Sequence, residues 1–225
     1  MRLPRRPRLI VPVMIALAAI VVLILIFTGL YTEYLWYDSV DLTSVFSTML
    51  VTQGVLFGVG ALLMTGIVAG NTLLAYRVRP MFGPSVLGAP HGADRYRQSL
   101  DPHRRLVFLI AMGGLALFTG SWAAGQWKTW LEFANATRFG DRDPQFRLDV
   151  SFFMFTVPFL RQVLTFLFTA VILSIVVSAI VHYLYGGFRI LNPGGVRAPR
   201  AARVHLSVLL GVFLLLKAAA YALDR

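Results

Sequence analysis

The sequence contains no cysteine, and this absence excludes several kinds of protein chemistry at once. A disulfide framework, a thiolate metal site and a cysteine nucleophile all require the missing residue. The absence fits any redox compartment, so it gives no information about where the protein resides.

Charged residues are also scarce. Only 14% of the 225 residues are Asp, Glu, Lys or Arg, whereas about 25% is usual for a soluble domain. Hydrophobic residues make up 57% of the chain and occur in long runs instead of in alternation. About 20 apolar residues in a helix, rising ~1.5 Å each, cross the ~30 Å hydrocarbon core of a bilayer. The composition therefore predicts an all-α fold, a polytopic bundle of transmembrane helices in a lipid bilayer.

Five apolar runs predict five spans within one membrane domain, residues 1–225. A cleaved signal peptide is the alternative for the first run, but the run exceeds the usual ~7–15 residues and no small-residue cleavage motif follows it. Two glycine pairs in the second run, Gly54 with Gly58 and Gly66 with Gly70, predict close packing against another helix. An acidic turn is expected over 32–43, and short interfacial helices are expected between spans, notably over 150–156. The predicted spans are 9–31, 44–76, 106–125, 158–185 and 204–223.

The net charge of +11 raises the question of a nucleic-acid partner. The basic residues lie in short segments between apolar runs, and no helix-turn-helix or zinc-finger pattern is present, so no nucleic-acid partner is expected. Their distribution instead predicts orientation. Fourteen fall within residues 2–8, 77–105 and 186–203, against five within 128–162.

The protein is expected in the cell membrane. Because short basic loops remain in the cytoplasm, the N-terminus and the 77–105 and 186–203 loops are expected to be cytoplasmic. Residues 32–43, residues 128–160 and the C-terminal end are then extracytoplasmic.

A search for catalytic motifs finds no Walker loop, GxSxG, GxGxxG or HExxH, so no catalytic residue, cofactor or metal ligand is predicted. None of the four histidines has a partner at i+3 or i+4 suited to a metal. His182 and His205 fall near the cytoplasmic ends of spans four and five, where they are expected to be interfacial polar residues. The alternative is that they approach each other.

Six ionisable residues stay open as functional candidates. Lys217 lies inside span five, where a charge is a functional hypothesis by default, although its long stem could also reach the interface. With Arg161 and His182 it would line a polar route. Asp141, Asp143 and Asp149 lie close together before span four, either as a surface carboxylate site or as part of a turn paired with arginines.

Three segments resemble the N-terminal membrane region of the uncharacterised protein family 0182, large integral membrane proteins found mainly in actinobacteria. They are Tyr34 to Val40 (YLWYDSV) with Ser44 to Phe46, Asp143 to Phe155 (DPQFRLDVSFFMF), and His182 to Gly187 (HYLYGG). The resemblance implies about seven N-terminal spans followed by a large extracytoplasmic domain, with no established activity. The chain is therefore expected to be the N-terminal part of a longer protein.

Three functions remain as hypotheses. The first is a membrane-anchoring and assembly module of a cell-envelope protein, whose partners are the bilayer and other membrane helices or envelope proteins. The second is a transporter or channel subunit. The third is a membrane enzyme acting on lipid or envelope precursors.

Overall fold

The computed structural model describes residues 10–78, 101–185 and 200–224. Within these ranges the chain forms six α-helices and no strand, as the all-α prediction requires. A 3₁₀ turn, Asp101–His103, precedes α3, and a π-helical turn, Phe152–Thr156, precedes α5. The helices are α1 (Ile10–Ser39), α2 (Thr43–Arg77), α3 (Arg104–Ala124), α4 (Trp127–Ala134), α5 (Val157–Leu184) and α6 (Arg200–Leu223).

Five of these helices, all except the eight-residue α4, are long and apolar enough to cross a membrane. Each overlaps one of the five predicted spans. The contacts of the chain form two compact units, residues 1–52 and 53–225, and the division falls inside α2.

In the first unit, α1 is longer than the predicted first span. It has 30 residues, or ~45 Å at ~1.5 Å per residue, so it exceeds the hydrocarbon thickness. The predicted turn over 32–43 is wrong for most of its length, because the helix continues to Ser39. The rings of Tyr34 and Tyr37 lie 5.8 and 5.6 Å from that of Phe46, which stabilises the extra turns. The chain then reverses at Asp41, with φ of +57°.

In the second unit, the core lies among α2, α3 and α5. Met64, Val68 and Ala170 are almost completely buried, and partly buried apolar side chains from all three helices pack around them. These side chains are Ile67, Met112, Leu115, Phe166, Leu173 and Val177.

The close approach of α2 and α3 depends on glycines other than the predicted pairs. A Cβ at Gly60 would lie 2.5 Å from the Cβ of Ala123, and one at Gly120 would lie 2.8 Å from the ring of Phe57. A Cβ at Gly54, Gly58, Gly66 or Gly70 would meet no heavy atom within 4 Å among the described residues. The predicted packing at those four positions is therefore not formed in this structure.

The start of α5 also differs from the prediction of a separate interfacial helix over 150–156. Phe152–Thr156 is one π-helical turn that runs directly into α5. Pro158 has no N–H, so it cannot donate the usual i→i−4 bond to Met154. The wider π turn, in which the N–H of Val157 bonds the carbonyl of Phe152, accommodates the proline without ending the helix.

Candidate functional site

Polar side chains from three apolar helices meet inside the second unit. Asn71 comes from α2, Ser174, Ser178 and His182 from α5, and His205 from α6. We call these five residues the polar network. The two serines are 0% exposed, His182 is 2% and His205 is 8% exposed. Because residues four apart share a helix face, the three α5 residues form one polar line within an otherwise apolar helix.

Hydrogen bonds join the three helices through Asn71. Its Nδ2 donates to the carbonyl of Ile67 at 2.8 Å and to the hydroxyl of Ser174 at 3.3 Å. Its Oδ1 lies 3.1 Å from Nε2 of His205. The Nδ1 of His205 in turn lies 3.4 Å from Nε2 of His182.

These bonds define which ring nitrogens carry protons. The amide of Asn71 must turn its nitrogen toward the Ile67 carbonyl, so its oxygen faces His205. Nε2 of His205 is then the donor, and in a neutral ring Nδ1 carries the lone pair. In the neutral pair, Nε2 of His182 therefore donates its proton to His205.

Ser178 is the exception within the polar network. Its hydroxyl is fully buried and has no hydrogen-bond partner among the described residues. A buried polar atom without a partner is destabilising by about 1–3 kcal/mol, and native proteins rarely leave one. Ser178 lies between Ser174 and His182 on the same face of α5, so the polar line contains one hydroxyl whose partner is not among the described residues.

Aromatic rings and an arginine cover the end of this region. The rings of Tyr76 and Tyr185 meet edge to face with centroids 5.2 Å apart. Arg104 donates to the hydroxyl of Tyr76, and its guanidinium lies over the same ring. The ends of α2, α3 and α5 are thus tied together beside the polar network.

The structure does not bring together the three residues proposed to line a polar route. Arg161 and His182 lie 21 positions apart on α5, which is ~31 Å along the axis. Arg161 contacts Asp224 at 3.2 Å, and both side chains are more than half exposed. The ammonium of Lys217 lies 4.7 Å from the ring centroid of Tyr221, one turn further along α6. Only His182 of the three belongs to the polar network.

Asp143 and its neighbours build a turn. The Oδ1 of Asp143 accepts from the backbone N–H groups of Gln145 at 2.9 Å and Phe146 at 2.8 Å. The carbonyl of Asp141 accepts from the N–H of Val150 at 3.0 Å. Among the described residues no ion pair joins these carboxylates to the arginines of the segment. The turn is held by carboxylate-to-amide bonds.

Asp149 has a similar role. Its carboxylate accepts from the backbone N–H groups of Ser151 at 2.9 Å, Gly140 at 3.0 Å and Phe139 at 3.2 Å. A bond from the Ser151 hydroxyl, followed by that from the Ser151 amide, lowers the pKa of Asp149 to about 2, although partial desolvation acts the other way. These bonds stabilise the charged form, so the acid is an ionised structural acceptor.

A cavity of about 410 Å³ lies among α2, α3, α4 and α5. Its walls include Leu63, Ile67, Trp122, Trp130 and Phe166, and among the described residues its only polar side chains are Gln126, Thr129 and Gln162. It is therefore a mainly apolar cavity, as small-molecule pockets commonly are. No group of three or more His, Asp or Glu side chains suited to a metal occurs in the described parts of the chain.

Sequence reasoning favoured His182 and His205 as interfacial polar residues and left their approach open as an alternative, which the 3.4 Å separation of their ring nitrogens supports. It missed Asn71, Ser174 and Ser178. A signal was present, because Ser174, Ser178 and His182 recur every four residues in an otherwise apolar run. No comparable signal indicates which face of α2 turns toward α5. The contribution of Asn71 therefore required the structure.

The fold defines a multi-span helical membrane protein. The profile of the Uncharacterised protein family (UPF0182) matches residues 10–225, and the chain belongs to this family. It is 51% identical to a UPF0182 protein of Thermobifida fusca over 224 residues, which is 100% of this chain and 22% of the relative.

Other relatives give the same picture. A UPF0182 protein of Streptomyces coelicolor is 45% identical over 98% of this chain and 22% of its own length. A protein of Frankia casuarinae with the same family name is 43% identical over 98% of the chain and 21% of its own length. The chain thus spans about a fifth of the length of these relatives. No solved structure matches it.

Proposed function

We propose that this chain is a membrane-anchoring and assembly module of a larger cell-envelope protein, inserted in the cell membrane with its N-terminus in the cytoplasm. The observation that carries the proposal is the alignment of the whole chain with only 22% of relatives such as that of Thermobifida fusca. Five apolar helices supply an anchor for such a protein.

Packing supports the assembly part of the proposal. No residue of α1 is buried, and four glycines of α2 have no neighbour within 4 Å among the described residues. Glycine faces let helices approach closely in lipid. Further helices of a longer protein, or of an envelope partner, would have room to pack there.

The anchoring proposal is tested by fusing reporters to residues 1–225. Alkaline phosphatase, which is active only outside the cytoplasm, is placed after Arg225, and a fluorescent protein that matures only in the cytoplasm is placed before Met1. We expect both fusions in the membrane fraction after alkaline extraction, with an active phosphatase and a bright fluorescent protein. Release by alkali, or an inactive phosphatase on an intact fusion, would contradict the proposal.

Transport is the second candidate, and the buried polar network favours it. A line of polar groups on three successive turns of α5, Ser174, Ser178 and His182, resembles the way in which ion pathways are built between apolar helices. Liposomes containing the purified chain would be loaded with a pH-sensitive dye and a potassium gradient. Proton flux above that of empty liposomes, lost in His182→Gln, would favour transport. Flux equal to that of empty liposomes would count against transport and leave anchoring as the better supported proposal.

A further inference from the structure

The ring nitrogens of His182 and His205 have the separation expected of two ligands on one metal ion. His182 Nε2 and His205 Nδ1 are 3.4 Å apart. Zinc–imidazole bonds are about 2.0–2.1 Å long, so an ion equidistant from both atoms would subtend an angle of about 110°. That is the tetrahedral angle preferred by Zn²⁺ and by Co²⁺ in its place. The 3.4 Å separation itself therefore fits two imidazole ligands on one ion.

Asn71 already orients one of the two rings for this role. Nε2 of His205 donates to Oδ1 of Asn71 at 3.1 Å, which leaves Nδ1 as the lone pair facing His182. Histidines that bind metals commonly donate their other ring N–H to a carbonyl or carboxylate, which fixes the tautomer. His182 would move its proton from Nε2 to Nδ1 when the ion enters. Neither ring gains or loses a proton overall.

The unpartnered hydroxyl of Ser178 is a second, independent observation. It lies one helical turn from His182 on the same face and has no hydrogen-bond partner among the described residues. A water molecule completing the coordination of the ion would give that hydroxyl a partner. Two protein ligands plus water make a weaker site than the four ligands of structural zinc, so exchange with solution is expected.

The position along the helices favours a cation. His182 lies two residues before the end of α5 at Leu184, ~3 Å along the axis, so the charge sits near the end of a span instead of at its centre. The carbonyl end of a helix carries a partial negative charge. The guanidinium groups of Arg77, Arg104 and Arg203 oppose a cation, but these side chains are exposed, and solvent and salt screen them.

We propose that His182 and His205 form an exchangeable binding site for a divalent first-row transition-metal ion such as Zn²⁺, with Asn71 as the positioning residue for His205. This site does not depend on the anchoring proposal, since either can fail alone. It would add metal sensing or metal transfer to the module.

The probe is Co²⁺, titrated into the metal-free chain in detergent and followed by its visible absorption, with Zn²⁺ as competitor. We expect one ion per chain with the intense band of four-coordinate Co²⁺, and displacement by Zn²⁺. His182→Gln and His205→Gln should each weaken binding at least about tenfold, and Asn71→Ala by about 10–100-fold. The matched control is His103→Gln, an exposed histidine outside the polar network, which should bind as the original chain does.

A second measurement covers variants that fold poorly. Zn²⁺ should raise the melting temperature of the original chain, because an ion that binds only the folded state stabilises it, and it should raise that of His182→Gln and His205→Gln much less. The proposal is overturned if the original chain shows only the weak band of six-coordinate Co²⁺. It is also overturned if Zn²⁺ leaves the melting temperature of the original chain unchanged, or if His103→Gln is the variant that loses binding. The pair would then be a hydrogen-bonded contact only.

Discussion

At the scale of single residues, the half-buried amide of Asn71 and the buried hydroxyl of Ser178 have different consequences. Both the nitrogen and the oxygen of the Asn71 side-chain amide have hydrogen-bond partners, and through them Asn71 connects α2 to Ser174 and His205. Ser178, which is completely buried, has no partner among the described residues. Both lie in apolar runs, where one polar residue lowers the local mean hydropathy only slightly. Their identities were readable from the sequence, but their partners were not.

The acidic residues before α5 give a prediction at the same scale. Replacing Asp149 by Asn removes the charge that accepts from Phe139, Gly140 and Ser151. The turn should loosen, since charge-assisted bonds to backbone amides are stronger than neutral ones. We expect trypsin to cleave after Arg142 and Arg147 faster in Asp149→Asn than in the original chain, as followed by mass spectrometry.

The matched control is Asp141→Asn, because Asp141 holds the turn through its backbone carbonyl. Its cleavage rate should match that of the original chain, and equal acceleration in both variants would refute the role given to Asp149. Acid should loosen the same turn. The pKa of Asp149 is lowered from 3.8 to about 2, so its contribution is complete above pH ~3.8 and is lost as the pH falls toward 2. Hydrogen exchange at Gly140 over that range would measure the loss.

At the scale of helices, the sequence predicted the number of spans correctly, but it predicted the ends of the helices less accurately. Five runs of about 20 apolar residues are sufficient to identify five spans. The end of α1 was missed because Glu33 and Asp38 resemble a turn, whereas aromatic packing on Phe46 extends the helix to Ser39. The π turn before Pro158 was missed because a proline is ordinarily a helix start.

The contact between α2 and α3 leads to a second prediction. Gly60→Ala would place a Cβ 2.5 Å from that of Ala123, and because both atoms are attached directly to the backbone, one helix must move. Overpacking of this kind is destabilising by about 1–3 kcal/mol. We expect Gly60→Ala to lower the melting temperature in detergent.

Gly58→Ala is the matched control on the same helix. A Cβ there meets no atom within 4 Å among the described residues, and alanine is favoured over glycine in a helix by about 1 kcal/mol, so stability should be unchanged or slightly higher. Ala123→Gly combined with Gly60→Ala should recover part of the loss. If Gly58→Ala were the more damaging change, the close approach would not lie at Gly60.

At the scale of the whole molecule, hydropathy identifies the spans but gives little information on which helices touch. The spans are apolar on every side, because lipid tails are as apolar as the side chains of a neighbouring helix. Hydrophobicity therefore does not distinguish a lipid-facing position from a helix-facing one. The sequence predicted a helix contact at the two glycine pairs of α2, but the contact between α2 and α3 is at Gly60 and Gly120. The position of a glycine relative to a facing Phe57 or Ala123 cannot be read from either helix alone.

The last prediction concerns orientation across the membrane, which follows from charge. Moving Lys and Arg across a membrane is opposed by the membrane potential and by their hydration, so short basic loops remain inside. Fourteen basic residues in the segments predicted to be cytoplasmic, against five in residues 128–162, favour one orientation. The absence of cysteine makes this testable, because every introduced thiol is the sole one in the chain.

Three exposed positions serve as probes. Ser39→Cys, at the end of α1, and Asn135→Cys, directly after α4, should react with a membrane-impermeant maleimide in intact cells. Ala201→Cys, in the first turn of α6, should react only after permeabilisation, so it acts as the internal control for the other two. All three side chains are exposed, and differences in labelling should reflect sidedness. Labelling of Ala201→Cys in intact cells would reverse the orientation, and labelling of all three would indicate insertion in both directions, which the Arg asymmetry opposes.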